Sequence, residues 1–362
     1  MDRIYNFSAG PSMLPEKVLE IAARELMNYN NSGMSVMEMS HRSEIYEAVL
    51  SDCEATVRRL MNIPTTYKIL FLQGGASTQF AAIPLNLLSK NQKADYVVTG
   101  EFSKKAYSEA KKYGDILLVS SSEDKKFTYI PRLTQNDFRP DADYVHICFN
   151  NTIIGTKWDY IPQTRAVLVA DMSSCILSEP FDITRFGMIY AGAQKNMAPA
   201  GLTVVIIRED LLENALPICP TMLNYKIMAE HNSLYNTPPC WCIYIAGLVA
   251  KWVEDDMGGL EGMRAYNHKK AALLYDYLDS QTYYKTYNDK TVRSIMNITF
   301  VTGNTVLDSK FASDAAAAGL VNLKGHRLVG GMRASIYNAM PIEGVMALIS
   351  FMEKFAKENP QI

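Results

Sequence analysis

The chain has 362 residues, 48% hydrophobic and 20% charged, and a formal net charge of −2. This length suits two domains with a large buried core, and the balanced charge excludes a basic field for nucleic acid or an anionic membrane. Six cysteines without a C-x-x-C pair read as reduced thiols of a cytoplasmic protein, and five histidines without H-x-x-x-H or H-E-x-x-H spacing give no reason to expect a protein-bound metal. The stretch Met1 to Gly10 is polar, so no signal peptide is expected. The longest apolar run, Cys240 to Ala250, is too short to span a bilayer.

In chain order, Pro15 to Tyr29 reads as a helix with proline at its start, and Glu44 to Met61 as an amphipathic second helix. Strands and helices then alternate. Lys68–Leu72 is a strand, Thr78–Leu88 a helix through Pro84, Asp95–Thr99 a strand and Ser103–Tyr113 a helix. Further short apolar strands are expected at Asp115–Val119, Tyr144–Phe149, Ala166–Ala170, Met188–Ala191 and Leu202–Ile207. Such alternation predicts an α/β fold, a mostly parallel sheet between helices. From Pro238-Pro239 a long apolar helix runs to about Asp256, Gly258-Gly259 breaks it, and Leu260–Leu278 resumes the helical period. A strand at Ile295–Val301, a helix at Ser309–Ala318, a glycine-rich segment at 325–331 and a last helix from Pro341 to about Lys357 complete a smaller α+β unit. The predicted division is a large domain over 16–259 and a small domain from 1–15 and 260–362.

Two residues at strand ends carry the chemistry. Asp171 follows the apolar run Ala166–Ala170, and Lys195 lies just past Ile189–Ala191 in the run Ala191-Gly-Ala-Gln-Lys-Asn196. In open α/β sheets ligands bind beyond the carboxyl ends of the strands. Pyridoxal 5'-phosphate needs a lysine to attach to and an acid to hold its ring nitrogen protonated. After Leu72, Gln73-Gly-Gly-Ala-Ser-Thr78 leads into a helix, where free N–H groups favour a phosphate. Phe102, beyond the strand 95–99, could stack on a flat ring. Each has an ordinary alternative: a surface lysine, a capping aspartate, a plain glycine turn, a core aromatic.

The sequence resembles the phosphoserine aminotransferase family, class-V pyridoxal-phosphate enzymes of the aspartate-aminotransferase fold (fold type I). The resemblance rests on Asn6-Phe-Ser-Ala-Gly-Pro11, Ser35-Val-Met-Glu-Met-Ser-His-Arg42, Ala191–Asn196, Asn236-Thr-Pro-Pro239, Gly325-His-Arg327 and Gly330-Gly-Met-Arg-Ala-Ser-Ile-Tyr-Asn338. It implies a seven-stranded sheet in the large domain. It also implies that Lys195 carries the cofactor and moves the proton, and that Asp171 pairs with the ring nitrogen. Phe102 would stack where the family commonly has tryptophan, and Thr152 would bond the ring hydroxyl. Ala76, Ser77 and Gln194 would hold the cofactor phosphate, joined by Asn236 and Thr237 from the partner subunit of a homodimer with shared active sites. Arg333 would fork the substrate α-carboxylate. His41, Arg42, His326 and Arg327 would hold the distal phosphate of phosphoserine or the γ-carboxylate of glutamate.

The implied reaction is reversible transamination between L-glutamate and 3-phosphooxypyruvate, giving 2-oxoglutarate and O-phospho-L-serine in serine biosynthesis. The same pocket could take the four-carbon 4-phosphooxy homologue of pyridoxine synthesis. One departure stands out: many members have an arginine where this chain has Ser77, so phosphate recognition would rest more on the two His-Arg pairs. The alternatives of the same fold are a β-eliminating lyase and a cysteine desulfurase. The latter would want a cysteine on a mobile glycine- or serine-rich loop, which the sequence does not offer.

Overall fold

Seven strands of the computed structural model, which describes residues 3–361, form one sheet. Their spatial order is Tyr67–Leu72, Thr203–Arg208, Met188–Gly192, Val167–Asp171, Tyr144–Cys148, Lys93–Val98 and Asp115–Ser121. The last five are mutually parallel; Thr203–Arg208 runs antiparallel to both of its neighbours. The side-chain period of two divides each strand between two cores. Leu168 and Ala170 enter one with Ile189, Ala191, Val204 and Ile206; Val169 enters the other with Met188, Tyr190, Val205 and Ile207. Helices Glu44–Leu60 and Cys240–Asp255 cover the first face, and Gly75–Leu87 and Glu101–Ala110 the second. Strands buried on both faces are continuously apolar, so their positions are readable but their direction is not.

A third core gathers Phe7, Ala271, Leu274, Leu278, Ile298, Phe300, Phe311, Ala334, Leu348 and Phe355. The 22-residue helix Gly259–Ser280 joins it to the sheet. Leu260 and Met263 pack in the first core, and Ala271, Leu274 and Leu278 in the third. The N-terminal strand Tyr5–Asn6 pairs in parallel with Leu320–Val321. The small-domain range expected from the sequence includes residues 1, 2 and 362, which lie outside those described.

Several boundaries differ from the sequence reading. The first helix ends at Glu25, not Tyr29. Asn30 and Asn31 have positive φ, and Asn28 Oδ1 accepts from Gly33 N at 2.7 Å, so this asparagine cluster makes a turn instead. The helix after the glycine pair starts at Gly75, three residues early, because Gly74 at φ +92° provides its left-handed entry. Ala76 and Ser77 therefore sit in a helical first turn, as Phe102 does in Glu101–Ala110. The strand expected over 295–301 is confined to Asn297–Phe300. No helix among the described residues is long and apolar enough to cross a membrane.

Candidate active site

The strands ending at Asp171 and Gly192 lie side by side in parallel, so their carboxyl ends share one edge of the sheet. Thr203 pairs with both Gly192 and Leu72, which brings the Gly-Gly turn to that same edge. Ser173 ties the two ends together. Its N and Oγ donate to Asp171 Oδ1 at 2.9 and 2.6 Å, and its Oγ accepts from Gly192 N at 3.0 Å. Asp171 is buried, and its Oδ2 has no hydrogen bond among the described residues. A carboxylate oxygen left without a donor on a buried residue invites a cationic N–H.

Lys195 projects from the turn after Gly192. Its Nζ donates to Thr152 Oγ1 at 2.8 Å and lies 4.8 Å from the centre of the Phe102 ring. Burial is the main force lowering its pKa and the nearby Arg333 guanidinium adds to it, while Asp171 and Cys148 oppose. The amine thus loses its proton more readily than an ordinary lysine, as a nucleophile must. Phe102 is held in place by its own helix start: Ser103 Oγ accepts from the N–H groups of Thr99 and Gly100, each at 3.0 Å. A Cβ on Gly100 would sit 2.5 Å from Asn151 Oδ1, so glycine lets Asn151 approach and bond Thr99 and Thr156. Asn151 thereby braces Thr152 against the helix that carries Phe102.

Lys195 is clamped from behind as well. Ser12 N donates to Gln194 O at 3.0 Å, Ser12 Oγ to Lys195 O, and a Cβ on Gly10 would come 3.1 Å from Lys195 Cγ. Asn196 Nδ2 donates to Ile176 O at 2.6 Å. The sequence alone implies no role for Ser12, Asn151, Ser173 or Asn196; Gly10 and Asn196 lie in the runs Asn6–Pro11 and Ala191–Asn196, but the residues they meet in space are far away in sequence.

Arg333 enters from the strand Met332–Ser335, with Nη1 donating to Thr152 O at 3.3 Å. Burial lowers its pKa, opposed by Tyr337. His326 has its pKa lowered by burial and then by Arg333 and Arg327, which places three basic groups within electrostatic reach of one another. Among the described residues, no carboxylate pairs with Arg42, Arg327 or Arg333, although most other arginines have one. A guanidinium that is desolvated without a counter-ion is costly, so Arg333 calls for an anionic ligand.

The helix beginning at Gly75 leaves its first N–H groups, including those of Ala76 and Ser77, without intrahelical acceptors. Gln194 turns its side chain toward Gly192, where a Cβ would lie 2.8 Å from Gln194 Oε1. The remaining expected residues form a separate group. Thr237 Oγ1 lies 3.2 Å from His41 Nδ1, Thr237 O accepts from Gln73 Nε2 at 3.1 Å and from Asn236 Nδ2 at 3.3 Å, and Arg42 is exposed. His41 Nε2 is buried without a partner. Among the described residues no hydrogen bond or ion pair runs directly from this group to Lys195, Asp171 or Arg333, although Gln73 ties it to the Gly-Gly turn. The donor set at the sheet edge fits pyridoxal phosphate: an easily deprotonated amine, a carboxylate oxygen without a partner, a ring face and free N–H groups.

The family model for aminotransferase class-V matches residues 4–348. A phosphoserine aminotransferase of Bacillus cereus is 53% identical over 360 residues, covering 99% of this chain and 100% of that protein. The solved phosphoserine aminotransferase of Bacillus circulans subsp. alkalophilus superposes with a TM-score of 0.95 at 48% identity, covering 99% of each chain. The PLP-bound phosphoserine aminotransferase of Trichomonas vaginalis gives a TM-score of 0.92 at 39% identity, over 97% of this chain and 100% of that one.

Proposed function

The chain belongs to the class-V aminotransferases, and on that premise we propose that it is a pyridoxal-phosphate-dependent phosphoserine transaminase, exchanging the amino group between L-glutamate and 3-phosphooxypyruvate to form 2-oxoglutarate and O-phospho-L-serine. The observation that carries the reading is a desolvated amine, Lys195, beside a part-buried arginine, Arg333, that lacks a carboxylate partner among the described residues. A substrate rich in negative charge answers both needs.

When bound, pyridoxal phosphate supplies the electron sink for the pair released as the substrate Cα–H bond breaks. Lys195 would hold the cofactor, and its amine, when free, would take the substrate Cα proton as general base and carry it on Nζ for redelivery. Asp171 would hold the ring-nitrogen proton, with Oδ2 available because Ser173 occupies Oδ1. Phe102 would supply a stacking face, and Thr152 Oγ1, which accepts from Lys195 Nζ, would bond the ring hydroxyl. The N–H groups of Ala76 and Ser77, with Gln194, cradle the phosphate. Arg333 forks the α-carboxylate, which fixes the Cα–H bond relative to Lys195, and His326 with Arg327 faces the distal anion. His41, Arg42, Asn236 and Thr237 serve the neighbouring subunit's site in a homodimer. The buried His41 Nε2, which has no partner among the described residues, supports that assignment.

A desulfurase would need an activated thiolate. Burial instead raises the pKa of all six cysteines, Cys53, Cys148, Cys175, Cys219, Cys240 and Cys242. The deciding experiment mixes holo-protein with O-phosphoserine alone and follows the cofactor's visible band. Stoichiometric bleaching, restored by 2-oxoglutarate, is the expected outcome. A persistent band with phosphate and pyruvate accumulating would mean elimination, and no cofactor band at all would refute the pyridoxal reading.

A further inference from the structure

Behind the site, the helix Gly259–Ser280 carries a lysine that the reaction does not use. Lys270 is fully buried, and its Nζ donates to four backbone carbonyls: Ile336 at 2.9 Å, Tyr337 at 2.7 Å, Asn338 at 3.3 Å and Met340 at 3.0 Å. The face of Tyr266 closes the seat at 4.7 Å. No ion pair forms with it among the described residues. Burial pushes its pKa down, yet every polar neighbour is an acceptor. A neutral amine would aim its lone pair at an oxygen, whereas an ammonium has three donors and no acceptor. Converging carbonyls of this kind replace the hydration shell of a monovalent cation in selectivity filters.

The turn held in this way reaches Lys195 by two routes. Asn338 N donates to Asn196 Oδ1 at 3.0 Å, and Asn196 is the residue after Lys195. Tyr337 Oη donates to Ala9 O at 2.7 Å, and Ala9 precedes the glycine packed on Lys195 Cγ. Asn267, one turn before Lys270, adds a 2.8 Å bond from Nδ2 to Asn338 Oδ1.

We propose that Lys270 acts as a tethered monovalent cation, whose ammonium organises the 336–340 turn and thereby positions the backbone on both sides of Lys195. It is a positioning residue, since it touches neither substrate nor cofactor. Lys270→Ala opens the four-carbonyl seat, whereas Lys270→Met fills it with an apolar chain. The test compares ammonium, potassium and tetramethylammonium chlorides at equal ionic strength. Ammonium or potassium should raise the Tm of Lys270→Ala apo-protein above its value in tetramethylammonium, and should leave wild type and Lys270→Met unchanged. In the holoenzyme, Lys270→Ala should lose up to about 100-fold in kcat with little change in KM, since misplacing a catalytic group acts on the chemical step. The small cations should recover that loss.

If Lys270→Ala is obtained only unfolded, refolding yield from denaturant is the measure: higher yield in ammonium supports the proposal, and equal yield overturns it. Indifference of the Lys270→Ala Tm to cation identity, or a Lys270→Met variant with wild-type Tm and kcat, also overturns it. The kcat readout rests on the transaminase reading, but the apo-protein Tm does not, so the two can fail separately.

Discussion

Arg42 and Arg333 differ in what surrounds them, and that difference predicts different losses. Arg333 is part-buried and bonded to Thr152 O. Arg42 is exposed, and among the described residues its only hydrogen bond runs from its backbone N to Ser40 Oγ at 3.3 Å. Its guanidinium is thus available to a distal anion. Replacing it should remove a charge-assisted hydrogen bond, worth roughly 1.5–3 kcal/mol, or about 10- to 100-fold in KM for O-phosphoserine. The predicted Arg42→Ala phenotype is that loss for phosphoserine with little change for an uncharged amino acid such as alanine. Steady-state kinetics with both donors checks it, and equal losses would remove Arg42 from phosphate recognition. Ser77 makes the dependence sharper, because the first turn of Gly75–Leu87 carries no cationic side chain.

The central strands make a prediction of their own. On Tyr144–Cys148, His146 stacks on Tyr96 with centroids 4.7 Å apart, and its Nε2 lies 2.9 Å from Tyr190 Oη. Burial lowers its pKa from 6.5 to about 3. Between those values the unfolded chain holds a proton that the folded chain lacks, so this residue makes stability rise with pH from about 3 to 6.5 and level off above. A His146→Phe variant keeps the ring but not the proton. Its denaturant midpoints should show a shallower acid slope, so that its deficit relative to wild type narrows as pH falls below 6.5. A parallel slope would mean that His146 titrates alike in both states. The same strands explain what could be read in advance. Asp171 and Lys195 stood out because each follows an apolar run that ends abruptly. The reversed direction of Thr203–Arg208 did not, since a buried run such as Val204–Ile207 reads equally well either way. Ser173 and Asn151 were invisible for another reason. Their partners, Gly192 for one and Thr99 for the other, meet them only once the sheet has formed.

Across the whole molecule, the expected site residues fall into two sets that share no direct hydrogen bond or ion pair among the described residues, and a homodimer with shared sites predicts complementation. Lys195→Ala and Arg42→Ala proteins, each strongly impaired on phosphoserine, should regain turnover when unfolded together and refolded, because some mixed dimers carry one intact site. No gain over the separate proteins would assign both sets to one chain's site. The strand Tyr5–Asn6 and the clamp at Gly10 and Ser12 carry a consequence for timing. Residue 5 pairs with residue 320, and Ala9 is held by Tyr337. At translation speeds of roughly 5–20 residues per second, that interval lasts about 15–60 s. Within it the sheet's strands, complete by Arg208, can already emerge and pair, while the segment that will seat Lys195 waits for residues made more than a hundred positions later. The nascent polypeptide therefore acquires its scaffold early and its reactive amine in working position only once residues 320 and 337 have been made.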